Sequence, residues 1–368
     1  MNCTFNRLKL IEILDNIKGC IKTNNTIEIS SSIYIDVSKE KADIKATDYV
    51  MFIKDSIKPV EVKENGSMII PFNVFYRLIK NSSSDDIKLK TKNNSLELTS
   101  NKSSYKIPII NEVFPEGYKV DSETTLEVYE GDIKEVFSRF IRIIPDSSHN
   151  DACLGLNIKI KEDNTVDFVA TDTYRLYIKN YNPINVNGIN NVSFVVSKEM
   201  INYLQSVLEY SNSTIKINLN SSYIEVVKGD MVVKHQLISD TYPHYEKIIP
   251  KKMSYKVDVN TETFKRAINR IKIMSEFALG DNVVKIKTNE DNVLHLYTSD
   301  MKNIENTELE LNYQIEKDLD YNWLLDYVNS VKEEEFSIYF EGDRMSPLLL
   351  NDGSVSYMMM PVINSWGV

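Results

Sequence analysis

Apolar positions along the chain alternate between two spacings. Leu10, Leu14 and Ile17 recur at helical intervals, as do Ile133, Val136, Phe137, Phe140 and Ile141, and Phe264, Ala267, Ile268 and Ile271. These faces predict amphipathic helices near 6–17, 131–144 and 261–275. Thr261 is the expected N-cap of the third, and Ser197 stands ahead of another apolar helical run over 200–208. β-rich or alternating runs predict strands over 26–37, 87–98, 193–196, 214–227, 285–297 and 336–340. Turn residues fall at Lys92-Asn93-Asn94-Ser95 and Asn351-Asp352-Gly353-Ser354.

The pattern repeats. A Thr/Ser-Asp pair closes a strand at Ala46-Thr47-Asp48-Tyr49, at Ala170-Thr171-Asp172-Thr173 and, less cleanly, at Thr298-Ser299-Asp300-Met301. A strand then runs into a helix at Ile69-Ile70-Pro71-Phe72, Val195-Val196-Ser197-Lys198 and Leu319-Asp320-Tyr321-Asn322. These markers, and the helix ahead of each, share a period of about 125 residues, the mark of tandem modules. Each module reads as helix, strands, Thr/Ser-Asp turn, more strands, second helix and closing hairpin. That order predicts an α+β fold with helices gathered on one side. Boundaries are expected at 1–122, 123–252 and 253–368.

Composition narrows the class. In 368 residues, 42% hydrophobic and 26% charged content is that of an ordinary globular protein. No apolar run approaches the roughly 20 residues of a membrane helix. Residues 1–17 read as an amphipathic helix, not a signal peptide. Cys3, Cys20 and Cys153 have no CxxC spacing, so a reducing cytoplasm is the expected compartment. The net charge of −10 argues against a nucleic-acid partner only if charge is evenly spread. It is not. Lys265, Arg266, Asn269, Arg270 and Lys272 lie opposite the apolar face of their helix. Lys134, Arg139 and Arg142 do so in the second module, diluted by Glu135; Arg7 and Lys18 flank the first. The second helices add Arg77, Lys80, Lys198 and Lys332, while acids collect at Asp85-Asp86 and Glu333-Glu334-Glu335. A basic helix face is either a solvated face or an attractor for phosphates. Its recurrence in an acidic chain favours the second.

Three segments carry a family resemblance. Ala170-Thr171-Asp172-Thr173-Tyr174-Arg175-Leu176 resembles the "ATDGHRL" segment of the β subunit of bacterial DNA polymerase III, the sliding clamp. Tyr242-Pro243-His244-Tyr245-Glu246-Lys247-Ile248-Ile249-Pro250 resembles its "FPDYRRVLP" segment. Ser346-Pro347, then Tyr357-Met358-Met359-Met360-Pro361-Val362, resembles its "SP…YVVMPMRL" ending. The opening Phe5-Asn6-Arg7…Leu14 and the Phe114-Pro115 close of the first module also fit, so the likeness spans essentially the whole chain.

The resemblance implies three clamp modules per chain (the DNA clamp fold) and two chains closed into a homodimer ring, with helices lining the hole and sheets outside. The implied function is that of a processivity factor in DNA replication, without catalysis or cofactor. Implied partners are encircled duplex DNA, the DNA polymerase III catalytic subunit, a clamp loader and other proteins bearing a clamp-binding peptide. Carried over residue by residue, the peptide cleft comprises Leu154, Thr171, Thr173, Tyr174, Arg175, Leu176, Pro243, Lys247, Ile248, Met345, Met360, Pro361 and Val362. The bland alternative makes Leu154, Leu176, Ile248 and Met360 plain core. The DNA-facing set is Lys22, Arg77, Lys80, Lys134, Arg139, Arg142, Lys198, Lys265, Arg266, Arg270 and Lys332. The ring contact would join Tyr105 and Ile107 to Ile273 and Met274 of a second copy. The chain departs from the pattern at Thr173 (Gly in the family segment), at Tyr174 (His), at Lys247 (Arg), at the loop 22–26, with Asn where the family often has a DNA-contacting Arg, and at its end, where Trp366 stands and the basic "RL" is missing.

Two other readings stay open. A degenerate or accessory clamp-like scaffold would bind proteins without encircling DNA. An enzyme would need a constellation, yet the four His show no metal spacing and no nucleotide or nucleophile motif is present. Asp48, Asp172 and Asp300 either hold a metal or cap backbone amides in a repeated turn.

Overall fold

The computed structural model describes residues 1–22, 28–117, 119–311 and 313–362, less the side chains of Ala278 and Glu308. Residues 26–27 of the expected first-module strand, the loop 23–26 and the terminal run with Trp366 lie outside the described residues.

Among the described residues, six α-helices carry the apolar faces: α1 (Arg7–Ile17), α2 (Phe72–Lys80), α3 (Glu130–Phe140), α4 (Lys198–Val207), α5 (Thr261–Ala278) and α6 (Tyr321–Val328). Leu10, Leu14 and Ile17 of α1 are buried, as are Phe264, Ala267, Ile268 and Ile271 of α5. Local chemistry sets the helix ends. The Asn6 side chain accepts from Lys9 N at 3.1 Å, Ser197 from Met200 N at 3.2 Å, and Asp320 from Asn322 N at 2.8 Å and Trp323 N at 3.2 Å. Each side chain satisfies an amide that the first helical turn leaves unpaired.

Several boundaries differ from the sequence reading. The cap of α5 is Asn260, which accepts from Thr263 N at 3.0 Å. Thr261 instead turns its hydroxyl to Glu333 O at 2.9 Å. α3 stops at Phe140, four residues before the expected end. Ile143 N bonds Phe140 O at 3.1 Å, a tightened turn, and Pro145 disfavours helix in the residue before it. Residues 2–6 form a strand, with Cys3 and Phe5 buried in its sheet. The first-module strand starts at Ser32, because the Ser31 and Ser32 hydroxyls bond back to Glu28 O at 2.9 and 2.6 Å and favour a short 3-10 turn.

The chain divides into two compact units, one of residues 1–134, 183–189 and 202–237, the other of 135–182, 190–201 and 238–368. The first holds two antiparallel sheets. One orders Glu61–Glu64, Asn2–Asn6, Asp86–Lys92, Ser95–Ser100 and Ser103–Pro108. The other orders Asn185–Gly188, Thr124–Tyr129, Thr214–Leu219, Tyr223–Lys228, Met231–Gln236, Met51–Ile57, Ala42–Thr47, Ser32–Val37 and Gly66–Pro71. Met231–Gln236, the last strand of the second module, pairs with Met51–Ile57 of the first in the register Val232 to Lys54 and His235 to Met51.

The second unit repeats that junction. Its eight-stranded sheet orders Val192–Ser197, Gly155–Ile160, Val166–Thr171, Arg175–Tyr181, Ser356–Met359, Leu348–Asn351, Glu335–Phe340 and Tyr255–Asn260. Ser356–Met359, the last strand of the third module, pairs with Arg175–Tyr181 of the second, Arg175 opposite Met359. The remaining sheet orders Ile304–Glu310, Val293–Thr298, Val283–Thr288 and Glu316–Asp320.

The repeated Thr/Ser-Asp pairs are turns. Asp48 Oδ1 accepts from Val50 N at 3.0 Å and Met51 N at 2.7 Å. Asp172 Oδ1 accepts from Tyr174 N at 3.0 Å and Arg175 N at 2.7 Å. Asp300 Oδ1 accepts from Lys302 N at 3.1 Å and from the Thr298 hydroxyl at 2.7 Å. The residue after each Asp has positive φ: 73° at Tyr49, 78° at Thr173 and 62° at Met301. A β-branched Thr173 is the most strained of these, at a cost on the order of 1 kcal/mol. Thr173→Gly is therefore expected to stabilise the protein by up to about 1 kcal/mol, read as a higher urea midpoint. An unchanged or lower midpoint would contradict strain at this turn.

Candidate partner-peptide site and cationic helix faces

The second unit brings most of the carried-over cleft residues to one end of the middle strands of its eight-stranded sheet. Beneath them lies a core cluster of Ala152, Val169, Leu176, Val195, Tyr242, Tyr245 and Met358. Leu176, 1% exposed, belongs to that core and cannot anchor a partner directly, so the plain-core reading holds for it. It does not hold for Ile248 and Met360, which are exposed, as are Tyr174 and Met345. Leu154, Pro243, Pro361 and Val362 are half-buried, Thr171 is buried, and Thr173 and Lys247 are exposed.

Backbone pairing fixes this end of the sheet. Leu176 lies opposite Met358, and Met360 N bonds Tyr174 O at 3.0 Å, carrying the pairing one residue past the strand. Val362 N bonds Asp318 O at 2.8 Å. Leu348 pairs with Met359, so Met345 precedes the strand that faces this end of the chain. The loop of Met345 is held by Lys317, whose ammonium donates to Asp343 O at 2.7 Å, Ser346 O at 3.0 Å and Ser346 Oγ at 3.1 Å. Burial pulls the pKa of Lys317 below its usual value. On the other side, the 3-10 turn Tyr245–Lys247 seats Tyr245 in the core and leaves Ile248 outside.

Arg175 is structural. Its Nε meets Asp172 Oδ2 at 2.7 Å, one Nη meets Asp326 Oδ2 at 2.6 Å, and its plane lies 5.3 Å from the Trp323 ring. Burial opposes the charge, but Tyr357, Asp172 and Asp326 outweigh it and hold the guanidinium above its usual range. Tyr174 stacks on Trp323 with centroids 5.8 Å apart. Trp323 and Asp326 were absent from the sequence-derived site; only the helix start at Asp320 pointed near them.

The cationic set divides. Arg77, Lys80, Arg142, Arg266, Arg270 and Lys332 are exposed, and Lys22, Lys134, Lys198 and Lys265 are half-buried. Arg139 is not available to DNA: it is 4% exposed, and its Nη2 meets the buried Asp352 Oδ2 at 2.5 Å. Three residues of helix turn it only about 60° from Val136, so it sits at the margin of the apolar face and not opposite it. Other cations also have partners: Lys332 with Glu135 at 2.7 Å, Lys198 with Asp146 at 2.6 Å, Lys22 with Asp48 at 3.2 Å, and Arg270 with Glu305. Lys134 donates to Leu208 O at 2.5 Å.

The ring-contact residues divide as well. Tyr105 and Ile273 are exposed and Met274 is half-buried, but Ile107 is 2% exposed and belongs to its sheet's core. Tyr105 and Ile107 stand on one face of the edge strand, which is covered at Ile107 and open at Tyr105.

Three consecutive family models match in order: the DNA polymerase III beta subunit N-terminal domain over residues 1–116, its central domain over 134–244 and its C-terminal domain over 246–363. The chain belongs to the DNA polymerase III beta subunit family. Its fold is three tandem clamp domains. Relatives named "Beta sliding clamp" include one from Helicobacter pylori, 24% identical over 98% of this chain and 100% of that protein. Another, from Staphylococcus aureus, is 22% identical over 98% and 99%. Among solved structures, the Helicobacter pylori beta clamp bound to a DNA ligase peptide aligns with TM-score 0.89 at 22% identity, covering 99% of this chain and 100% of that one. The Bacillus subtilis DNA polymerase sliding clamp aligns with TM-score 0.87 at 17% identity, covering 99% of each. No helix among the described residues is long and apolar enough to cross a membrane.

The Arg139–Asp352 pair gives a stability test for this family member. Asp352→Ala strands a buried guanidinium and is expected to cost about 3–5 kcal/mol in denaturant unfolding. Arg142→Ala, at an exposed site, should stay within about 0.5 kcal/mol of the parent.

Proposed function

We propose that the chain is a DNA sliding clamp that encircles duplex DNA as a homodimer and tethers partner proteins through the exposed apolar edge around Tyr174, Ile248, Met345 and Met360. The observation that carries this reading is the succession of three clamp domains, each matched in order to a domain of one family. It acts without catalysis: each recurring aspartate spends Oδ1 on backbone amides and Oδ2 on a cation, Lys22, Arg175 or Lys302.

Strand pairing supports ring closure. At both internal junctions, the last strand of a module pairs with the strand following the preceding module's Asp turn. Two strands of the same kinds have a free edge: Ser103–Pro108, last in the first module, and Ile304–Glu310, following the Asp turn of the third. Pairing these between two copies repeats the internal junction and closes a heterologous contact into a ring. Sequence carry-over named Tyr105 on the first strand but missed the second, on which Ile304 is exposed.

A ring needs only weak contacts with DNA. Charge-driven, non-specific binding has a Kd of roughly 10⁻⁴–10⁻⁶ M, too weak to hold a polymerase, but topology holds what charge only centres. Arg77, Arg142 and Arg266 are the exposed cations best placed for this, since no ion pair engages them among the described residues. The extensive pairing of Lys332, Lys198 and Arg270 favours the second reading, a protein-binding scaffold that does not encircle DNA.

After loading by a clamp loader, the protein should remain on nicked circular DNA and leave on linearisation. Equal loss from both would overturn encirclement and favour the scaffold. Reversing Arg142 and Arg266 to Glu should weaken the charge-driven binding of DNA before loading and flatten its salt dependence. Met360→Lys should abolish capture of a DNA polymerase III catalytic subunit while leaving DNA retention intact; unaltered capture would remove Met360 from the partner site.

A further inference from the structure

The third module departs from the other two at one buried strand position. The strand that runs into each module's second helix places Met68 opposite Ile35, Phe194 opposite Ile158 and Lys317 opposite Ile286. Each of the three stands four residues before the first residue of its helix, Phe72, Lys198 or Tyr321. Met68 and Phe194 are buried apolar side chains, as the alternation of a half-buried strand requires. Lys317 is 0% exposed, yet it carries an ammonium, and Leu319 on the same face of its strand is buried too. Such a charge is costly to bury unless other oxygens replace its water.

Those oxygens belong to one loop. Lys317 Nζ donates to Asp343 O at 2.7 Å, Ser346 O at 3.0 Å and Ser346 Oγ at 3.1 Å, which uses all of its hydrogens. Its neighbours grip the same loop from the other face of the strand: Arg344 Nη2 lies 2.5 Å from Asp318 Oδ2, and Nη1 lies 3.7 Å from Glu316 Oε1. The loop itself is longer here than in the other modules. Residues 341–347 join Phe340 to Leu348, where the first module turns through Asn93-Asn94 and the second through 220–222. Met345 sits in this longer loop, 52% exposed, with its N–H tied to Asp343 Oδ1 at 3.0 Å. The lengthened loop and the lysine that holds it thus occur together, in the module that supplies Met345. The same strand also bonds the chain end, Asp318 O accepting from Val362 N at 2.8 Å.

We infer that Lys317 is a positioning residue of the partner-peptide site, setting partner affinity by tying down the 341–347 loop so that Met345 stands ready as one wall of that site. The inference rests on the reading of the surface around Tyr174, Ile248, Met345 and Met360 as that site. Met68 and Phe194 show that an apolar side chain serves the strand well enough. The ammonium serves the loop: its three bonds to one short stretch of chain remove freedom that a partner would otherwise have to freeze out on binding. With an apolar side chain in its place, the carbonyls of Asp343 and Ser346 turn to the water around this surface loop, and Met345 loses its fixed place.

The test uses the full chain and a purified DNA polymerase III catalytic subunit, with affinity read by surface plasmon resonance and stability by urea unfolding. Lys317→Met keeps the reach of the side chain and removes its charge. It should weaken binding about fivefold, while the urea midpoint stays level or rises, because an apolar side chain replaces a buried charge. Ser346→Ala, which removes one acceptor at a half-buried position, should weaken binding about twofold. The double variant Lys317→Met with Met345→Ala should bind as Met345→Ala alone does, since Lys317 acts only through Met345. The inference is overturned if Lys317→Met binds as the parent does, or if the losses of the two single variants multiply in the double one. It is equally overturned if Lys317→Met fails to fold or unfolds at lower urea, which would make Lys317 a residue of core stability. Failure of the underlying site reading looks different: the parent would not bind, or Met345→Ala and Met360→Lys would both leave binding unaltered, and the site would fall together with the inference.

Discussion

Backbone amides and carbonyls along a sheet edge must be paired, covered or left to water, and in this chain each module supplies the strand that completes its neighbour's edge. Met231–Gln236 completes the first module's sheet, and Ser356–Met359 completes the second's. Much else depends on these two junctions. They give sheets of nine and eight strands from modules that alone would make four or five. They bring the last strand of the third module beside the Asp172 turn, which places Met360 next to Tyr174. They also leave one strand of each kind, Ser103–Pro108 and Ile304–Glu310, with an unpaired edge.

The Asp turns serve those junctions. Each one reverses the chain just ahead of a strand that accepts, or is free to accept, a neighbour, and the carboxylate ties the reversal by bonding amides two or three residues on. In the second module the same aspartate also grips Arg175, which reaches Asp326 on α6. A local turn thus becomes an inter-module brace. Arg139 and Asp352 make a second brace, fully desolvated, between α3 and the closing hairpin of the third module. A charge pair of that kind adds little net stability but is costly to break, and it fixes one arrangement of the two modules.

The tandem design lets copies of one position diverge. Tyr34 stands in the first module at the register position of Asn157 in the second. The family segment's Gly after the Asp is Thr173 here, held at positive φ in the Asp172 turn. Stability lost at one residue of a large repeated scaffold is absorbed by the rest, so such positions are free to take on binding roles.

Much of the architecture was legible in the residues because periodicity is local. The apolar stripes of α1 and α5, the Thr/Ser-Asp pairs and the turn at Asp352-Gly353 each follow from spacings of a few residues, and their recurrence revealed three modules. Their limits were less legible, as with Asn260 taking the cap from Thr261, since neighbouring polar residues compete for the same amides. Only the tertiary structure decided which cations face water and which apolar residues stay outside. Arg139 reads as a surface arginine until Asp352, more than two hundred residues away, draws it inside. Ile107 and Leu176 read as contact residues until their sheets bury them, while Trp323 enters the candidate site only because α6 packs against the Asp172 turn. Burial is a property of the assembled surface, and no window along the chain contains it.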